Sequence, residues 1–292
     1  MNAALMLLRA ALAFALLTLV ACATSPSREA LQQQSLLAAG QSLEAAGDYD
    51  GALVRYVQLL QLDERNVEGH FRIGRVHAAL GNAATSREAY QRALALDPQH
   101  PGALEGLGLQ QLDVGERATA AALLHKALAR DNARWRSYNG LGVLADLDSR
   151  HGVAQAYYGE ALKLRPGDLS VTNNLGYSYY LAGDLPKART QFEGVLAVDP
   201  GNKKGLSNLG LLFARQGKYG HAVQTLERIL SPAEARYAVG YICLIDGKLD
   251  DAERLLKDSV RRSAAYDPAT HAALKRVREG QERRARVGDE EE

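Results

Sequence analysis

Glycines at a fixed spacing constrain this chain more than any other feature. Gly40, Gly74, Gly108, Gly142, Gly176 and Gly210 stand 34 residues apart, and Gly240 follows after a shorter step of 30. Twelve residues after each comes a small side chain: Ala52, Ser86, Ala120, Ala154, Ala188, Ala222 and Ala252. Seven residues after each comes a turn residue: Gly47, Gly81, Gly115, Ser149, Gly183, Gly217 and Gly247. Three registers kept over seven copies define an internal repeat. A repeat of this length is one supersecondary unit, which buries its apolar face only by stacking on its neighbours.

Each unit reads as two helices. The first carries the register glycine at its centre and stops at the second turn signal, where glycine reaches the left-handed conformation at no steric cost. A stretch such as "GDLPKARTQFEGVLAVDP" then begins the second helix. Pro98, Pro166 and Pro200 close three of these second helices, because proline cannot continue one. The chain has only 8 prolines, and its apolar residues are mostly alanine and leucine, a balance that favours helices over strands. Small residues at the register glycine and twelve later let two helices approach closely. Large ones such as Leu175 and Phe192 fill the space around that contact.

With these residues in place the chain resembles the tetratricopeptide-repeat family. Its pattern of aromatic, Leu-Gly, Tyr, Ala, aromatic, Ala and Pro is met in the fourth copy by Tyr138, Leu141, Gly142, Ala154, Tyr158, Ala161 and Pro166. The fifth copy gives Leu175, Gly176, Tyr179, Ala188, Phe192 and Pro200. Ser86 departs from the pattern, and the first and third copies lack the final proline. The resemblance implies an all-α superhelix, an α-solenoid of about seven helix-turn-helix repeats over residues 33–268. A capping helix and charged tail over 269–292 complete it. Four residues are missing between Gly210 and Gly240, so the second helix of copy six is expected to lose about one turn.

The N-terminus reads as an address. Residues 10–20, "AALAFALLTLV", carry no charge and are too short to span a bilayer, but suit the apolar region of a signal peptide. "LVAC", ending at Cys22, resembles the lipobox of bacterial lipoproteins. That resemblance implies a signal peptide over 1–21, cleavage before Cys22, and acyl chains such as palmitate on its cysteine, with residues 22–32 as lipidated cysteine and tether. Several chains anchor stably where one would be reversible. Ala23 in place of Asp implies sorting to the outer membrane, with the body on its periplasmic face.

Composition narrows the function. Lys and Arg total 35 against 34 for Asp and Glu, so no basic excess points to nucleic acid. Two cysteines make neither a disulfide framework nor a thiolate zinc site. His70 and His77 would lie two helical turns apart, too far to share an ion. No GxSxG, P-loop or HExxH is present, and signal, tether and repeats leave no room for a catalytic domain. Cys243 sits in a core register and reads as a buried thiol. The expectation is a non-catalytic protein without metal, cofactor or small-molecule substrate.

The resemblance also implies where a partner protein would lie. In that family a groove is lined by the first helices, on the stripe one position after the glycine stripe. Here this stripe is mixed in the N-terminal half, with Leu37, Gln41, Glu44, Phe71 and Arg75. In the C-terminal half it reads Asn139, then Asn173, Tyr177 and Tyr180, then Leu211, Tyr237 and Tyr241. It lacks the Lys, Asn and Arg set with which family members clamp a C-terminal carboxylate. Asn139 and Asn173, one repeat apart, can each donate to and accept from a peptide unit, while the tyrosines supply area with hydroxyl handles. The competing reading packs the tyrosines against the neighbouring repeat; Asn174 has no assigned role.

A narrower resemblance, over roughly residues 135–275, is to the repeat lipoproteins of the tight-adherence (Tad/Flp) pilus system. It implies help in assembling or placing a pilus secretin or other Tad components. The alternatives are an adaptor for peptidoglycan hydrolases or for outer-membrane protein assembly, or a cytoplasmic secretion chaperone with an uncleaved N-terminus.

Overall fold

The computed structural model describes residues 27–290, and every regular element among them is a helix. The signal-peptide, Cys22 and tether readings up to residue 26 lie outside the described residues, as do the last two residues. No described helix is long and apolar enough to cross a membrane.

The chain divides into two units, Met1–Asn132 and Ala133–Glu292. In the first unit, helices α1 (Arg28–Ala45), α3 (Val67–Ala79) and α5 (Pro101–Asp113) are the first helices of their repeats. Each is followed by a second helix: α2 (Tyr49–Leu62), α4 (Ala83–Leu96) and α6 (Arg117–Arg130). In the second unit, α7 (Trp135–Leu147), α9 (Leu169–Leu181), α11 (Lys203–Arg215) and α13 (Pro232–Ile245) alternate with α8 (His151–Leu164), α10 (Leu185–Val198), α12 (Tyr219–Leu226) and α14 (Leu249–Arg262). Helix α15 (Pro268–Glu290) ends it. Within each unit a helix packs on its hairpin partner and on the next repeat.

The register has a direct steric cause. A Cβ on Gly142 would stand 2.5 Å from the Tyr158 ring, and one on Gly176 would stand 2.7 Å from the Phe192 ring. The glycine is therefore the seat for the large side chain sixteen residues on. The small residue at plus twelve is fully buried in every copy. Ser86, the departure from alanine, donates its hydroxyl to the Gly74 carbonyl at 2.7 Å, so a buried polar group stays satisfied. All the turn glycines at plus seven have φ between +70° and +83°, and Ser149 takes the same left-handed region at +57°.

Two elements depart from the regular plan. Helix α1 begins at Arg28 and so takes in residues 28–32, which the sequence reading assigns to the tether. Ser27 supplies the reason: its hydroxyl accepts from the Ala30 amide at 3.1 Å, and Glu29 lies in the positive first turn. Helix α12 has 8 residues where α10 and α14 have 14. The chain turns after it and restarts at Ser231, whose capping box with Glu234 fixes the start of α13. In the second unit the core runs through Phe192, Leu212, Val239 and Leu256, and α15 closes it with Ala273, Leu274 and Val277.

Candidate functional site

The groove-stripe residues of the sequence analysis from Asn139 onward all lie on first helices of the second unit. On α7, α9 and α11 the residues two and three positions before the register glycine include four asparagines. Asn174 donates Nδ2 to the Asn139 Oδ1 at 3.0 Å, and Asn208 donates Nδ2 to the Asn173 Oδ1 at 3.0 Å. Each bond joins a first helix to the first helix of the next repeat, through residues 35 apart. A carboxamide has both a donor and an acceptor end, so this pairing uses one end and leaves the other.

Asn139 and Asn173 therefore each have their oxygen engaged within the fold. Asn173 is only 5% exposed, because α11 lies beside it and Asn208 holds its oxygen. Asn173 lines a notch of about 360 Å³ together with Asn174, Tyr177, Lys203, Lys204, Ser207 and Asn208. Asn174, unassigned from sequence, turns out to be the donor to Asn139. The sequence did hold a signal for Asn174 and Asn208: both sit two residues before a register glycine.

Tyr177 is exposed and stacks on Tyr180, with ring centroids 5.8 Å apart and 18° between planes. Tyr180 is half-buried against the core. Burial raises its phenol pKa above the ordinary value, with Arg215 opposing and Asp246 and Tyr177 adding to the rise. Leu211 is half-buried. Tyr237 and Tyr241 form a second stack at 5.9 Å. That stack is not open: Arg276 of α15 lies over the Tyr241 ring and donates to its hydroxyl at 3.3 Å. Both Tyr237 and Tyr241 are also partly buried against the core of the second unit.

Carboxylates on this face are committed. Asp146 accepts from His151, Tyr158 and Ser178 at 2.9, 3.1 and 2.8 Å, and Asp246 pairs with Arg215 at 2.9 Å. Behind the face, Cys243 is 1% exposed, and burial pushes its thiol up to about 11, so it stays protonated near neutral pH.

On α1 and α3 of the first unit the equivalent face is ionic. Glu44, four residues after its register glycine, accepts from the Arg75 guanidinium and from the Tyr56 hydroxyl at 2.9 Å, with Arg72 beside it at 3.7 Å. Phe71, on the same stripe, is buried at 7% and packs its ring on His100 at 4.8 Å.

The tetratricopeptide-repeat model matches residues 37–101, 148–202 and 173–233, together just over half of the chain. Cellulose synthase operon protein C of Xanthomonas axonopodis pv. citri is 30% identical in an alignment 260 residues long that covers 80% of this chain and 17% of that protein. The chain thus spans about a sixth of the length of that curated relative. Among solved structures, PilF of Pseudomonas aeruginosa superposes with a TM-score of 0.58 at 18% identity, over 70% of this chain and 94% of its own. A tetratricopeptide-repeat protein of Parabacteroides merdae gives 0.55 at 14%, over 85% and 99%. The repeat register, the helix pairs and these matches agree: the chain belongs to the tetratricopeptide-repeat family, whose fold serves as a protein-interaction scaffold.

Proposed function

We propose that this protein is a lipid-anchored scaffold at the periplasmic face of the outer membrane. It holds an extended segment of a partner protein on the first helices of its second unit, in the service of Tad/Flp pilus assembly, with the secretin as partner. The observation that carries the binding part is the notch between α9 and α11, where Asn173, Asn174 and Asn208 lie beside the exposed Tyr177, itself stacked on Tyr180. That pairing of hydrogen-bonding ends and aromatic area is what an extended peptide needs from a groove. The anchor rests on the "LVAC" motif at Cys22, and the pilus role on the resemblance over residues 135–275.

A second reading comes from the 30% identity to the cellulose synthase operon protein: a scaffold for a polysaccharide-synthesis assembly. One experiment separates the readings. Envelopes solubilised in detergent are passed over the wild-type protein and over Tyr177→Ala/Tyr180→Ala, and bound proteins are identified by mass spectrometry. A secretin recovered by the wild type and lost by the double variant supports the pilus reading. Cellulose synthase subunits or peptidoglycan hydrolases in its place sink it. Cys22→Ala tests the anchor: it should move the protein from the membrane to the soluble fraction.

A further inference from the structure

A repeat array ends in two terminal units, and each needs a polar outer face to stay in water. At one end of this chain α15 supplies it. Ala273, Leu274 and Val277 close the core, while Lys275, Arg278 and Glu279 are exposed. The first repeat is built the other way. Leu31 of α1 is 51% exposed, and Val54 and Val57 of α2 are 54% and 47% exposed.

These aliphatic residues occupy places that face solvent elsewhere. The residues 34 positions later, in the second repeat, are Arg65, Glu88 and Gln91, all polar and all exposed. The last repeat carries Arg254 and Lys257 at the two places on the second helix. Other exposed large aliphatics, such as Leu147, Leu164, Leu181, Val198 and Ile245, are each the last residue of their helix. Val54 and Val57 instead stand in the body of α2. Its core side is Ala52, Tyr56 and Leu59, so the two valines lie on the opposite side of the helix, one turn apart.

The first repeat is also the one nearest the anchor. Cys22 precedes Ser27, the cap of α1, by five residues, so the cap stays within ~18 Å of the lipidated position. A protein partner or a second copy gives no reason for the valines to stand in the repeat next to the tether. A lipid surface does, because the anchor holds that surface beside this repeat and no other. We propose that the outer face of the α1–α2 hairpin lies on the membrane, with Leu31, Val54 and Val57 entering the boundary between headgroups and acyl chains. The inference rests on the anchor reading of Cys22 and adds how the body is held: acyl chains fix one point, and three side chains fix an orientation.

The test uses the full lipoprotein reconstituted in vesicles of phosphatidylethanolamine and phosphatidylglycerol, with a nitroxide label on Gln61→Cys or on Ala95→Cys. Gln61 follows Val57 by one turn on the same side of α2, and Ala95 is its exposed counterpart in the second repeat. Cys243 is buried, so the introduced thiol takes the label. The Gln61→Cys label should lose contact with a water-soluble nickel chelate and gain contact with oxygen, while the Ala95→Cys label stays in water. Leu31→Arg/Val54→Glu/Val57→Gln, which copies the second repeat at exposed places, should keep the melting temperature and the acyl chains. It should return the Gln61→Cys label to water. Equal chelate contact at both labels, in protein that still floats with the vesicles, would overturn the docked face and leave the anchor. An unchanged Gln61→Cys label in the triple variant would also overturn it. Spin–spin broadening between Gln61→Cys labels would mean that a second copy covers the face, and would overturn it too. Absence of acyl mass on Cys22, with no flotation, would remove the anchor reading and this proposal together.

Discussion

The two units repeat the same scaffold and differ in what they do with its first-helix face. Glu44 and Asp146 occupy the same register, four residues after their glycines, and each accepts the hydroxyl of the tyrosine twelve after it. Beyond that point they part. In the first unit the surrounding stripe carries Arg72, Arg75 and Phe71, which close on Glu44 and His100. In the second it carries asparagines in half-used pairs and a tyrosine stack facing outward. Scaffold residues are copied from repeat to repeat because the packing contact is the same. Face residues are free to diverge because the contact does not need them.

The largest expected effect tests whether the first-unit face is structural. Glu44→Ala strips the Arg75 and Tyr56 bonds from a site where the carboxylate is 9% exposed, and should cost ~2 kcal/mol in urea unfolding. Asn173→Ala removes one neutral hydrogen bond and should cost ~1 kcal/mol, yet weaken partner binding. If Asn173→Ala is the costlier of the two, the asparagine pairs are framework and the contrast between the units collapses.

A pH series sharpens the same contrast. Glu68 is partly buried, which by itself favours its neutral form. Hydrogen bonds from His100 and Arg72 outweigh that and lower its pKa from 4.5 to about 2. His100 caps α5 by accepting the Ala103 amide at Nδ1, which leaves Nε2 to donate toward Glu68 at 3.3 Å. A carboxyl with a depressed folded pKa adds stability that is full above its unfolded value and disappears as pH falls from 4.5 toward 2. Because Glu68 remains about a third exposed, the difference should be only ~1 kcal/mol. Urea melts of the wild type and Glu68→Gln should therefore converge as pH drops through that window. A gap that stays constant with pH would remove the ionic role.

The smallest effect concerns the turn of copy four. Ser149 holds φ at +57°, where six sister turns use glycine. Ser149→Gly should raise stability by about 0.5 kcal/mol without touching either face. A loss on substitution would mean that the serine side chain contributes something the strain argument omits.

Periodicity made the helix pairs legible before any coordinates, because a register glycine, a small residue and a large side chain are all needed at one contact. The site was legible only by position. Asn139, Asn173, Tyr177 and Tyr180 were picked from the stripe, and all four are on the face. The stripe does not show that α11 and Asn208 cover Asn173 or that Arg276 lies on Tyr241, and it leaves out Asn174 and Asn208. Those omissions share one cause. A spacing of 34 says which residues occupy equivalent places, but how near a side chain comes to the next repeat depends on how closely the helices settle.

The unit is written in the residues of one repeat: two helices, a left-handed turn between them, and a glycine where a large side chain must pass against a backbone. Those are properties of residues within one repeat, and local sterics suffice for them. Which side chains of the first-helix face are engaged follows from the packing of repeats. The bonds between residues 35 apart exist only after neighbouring repeats are brought together. Stacking sets those distances, and the distances settle which polar groups are consumed by the fold.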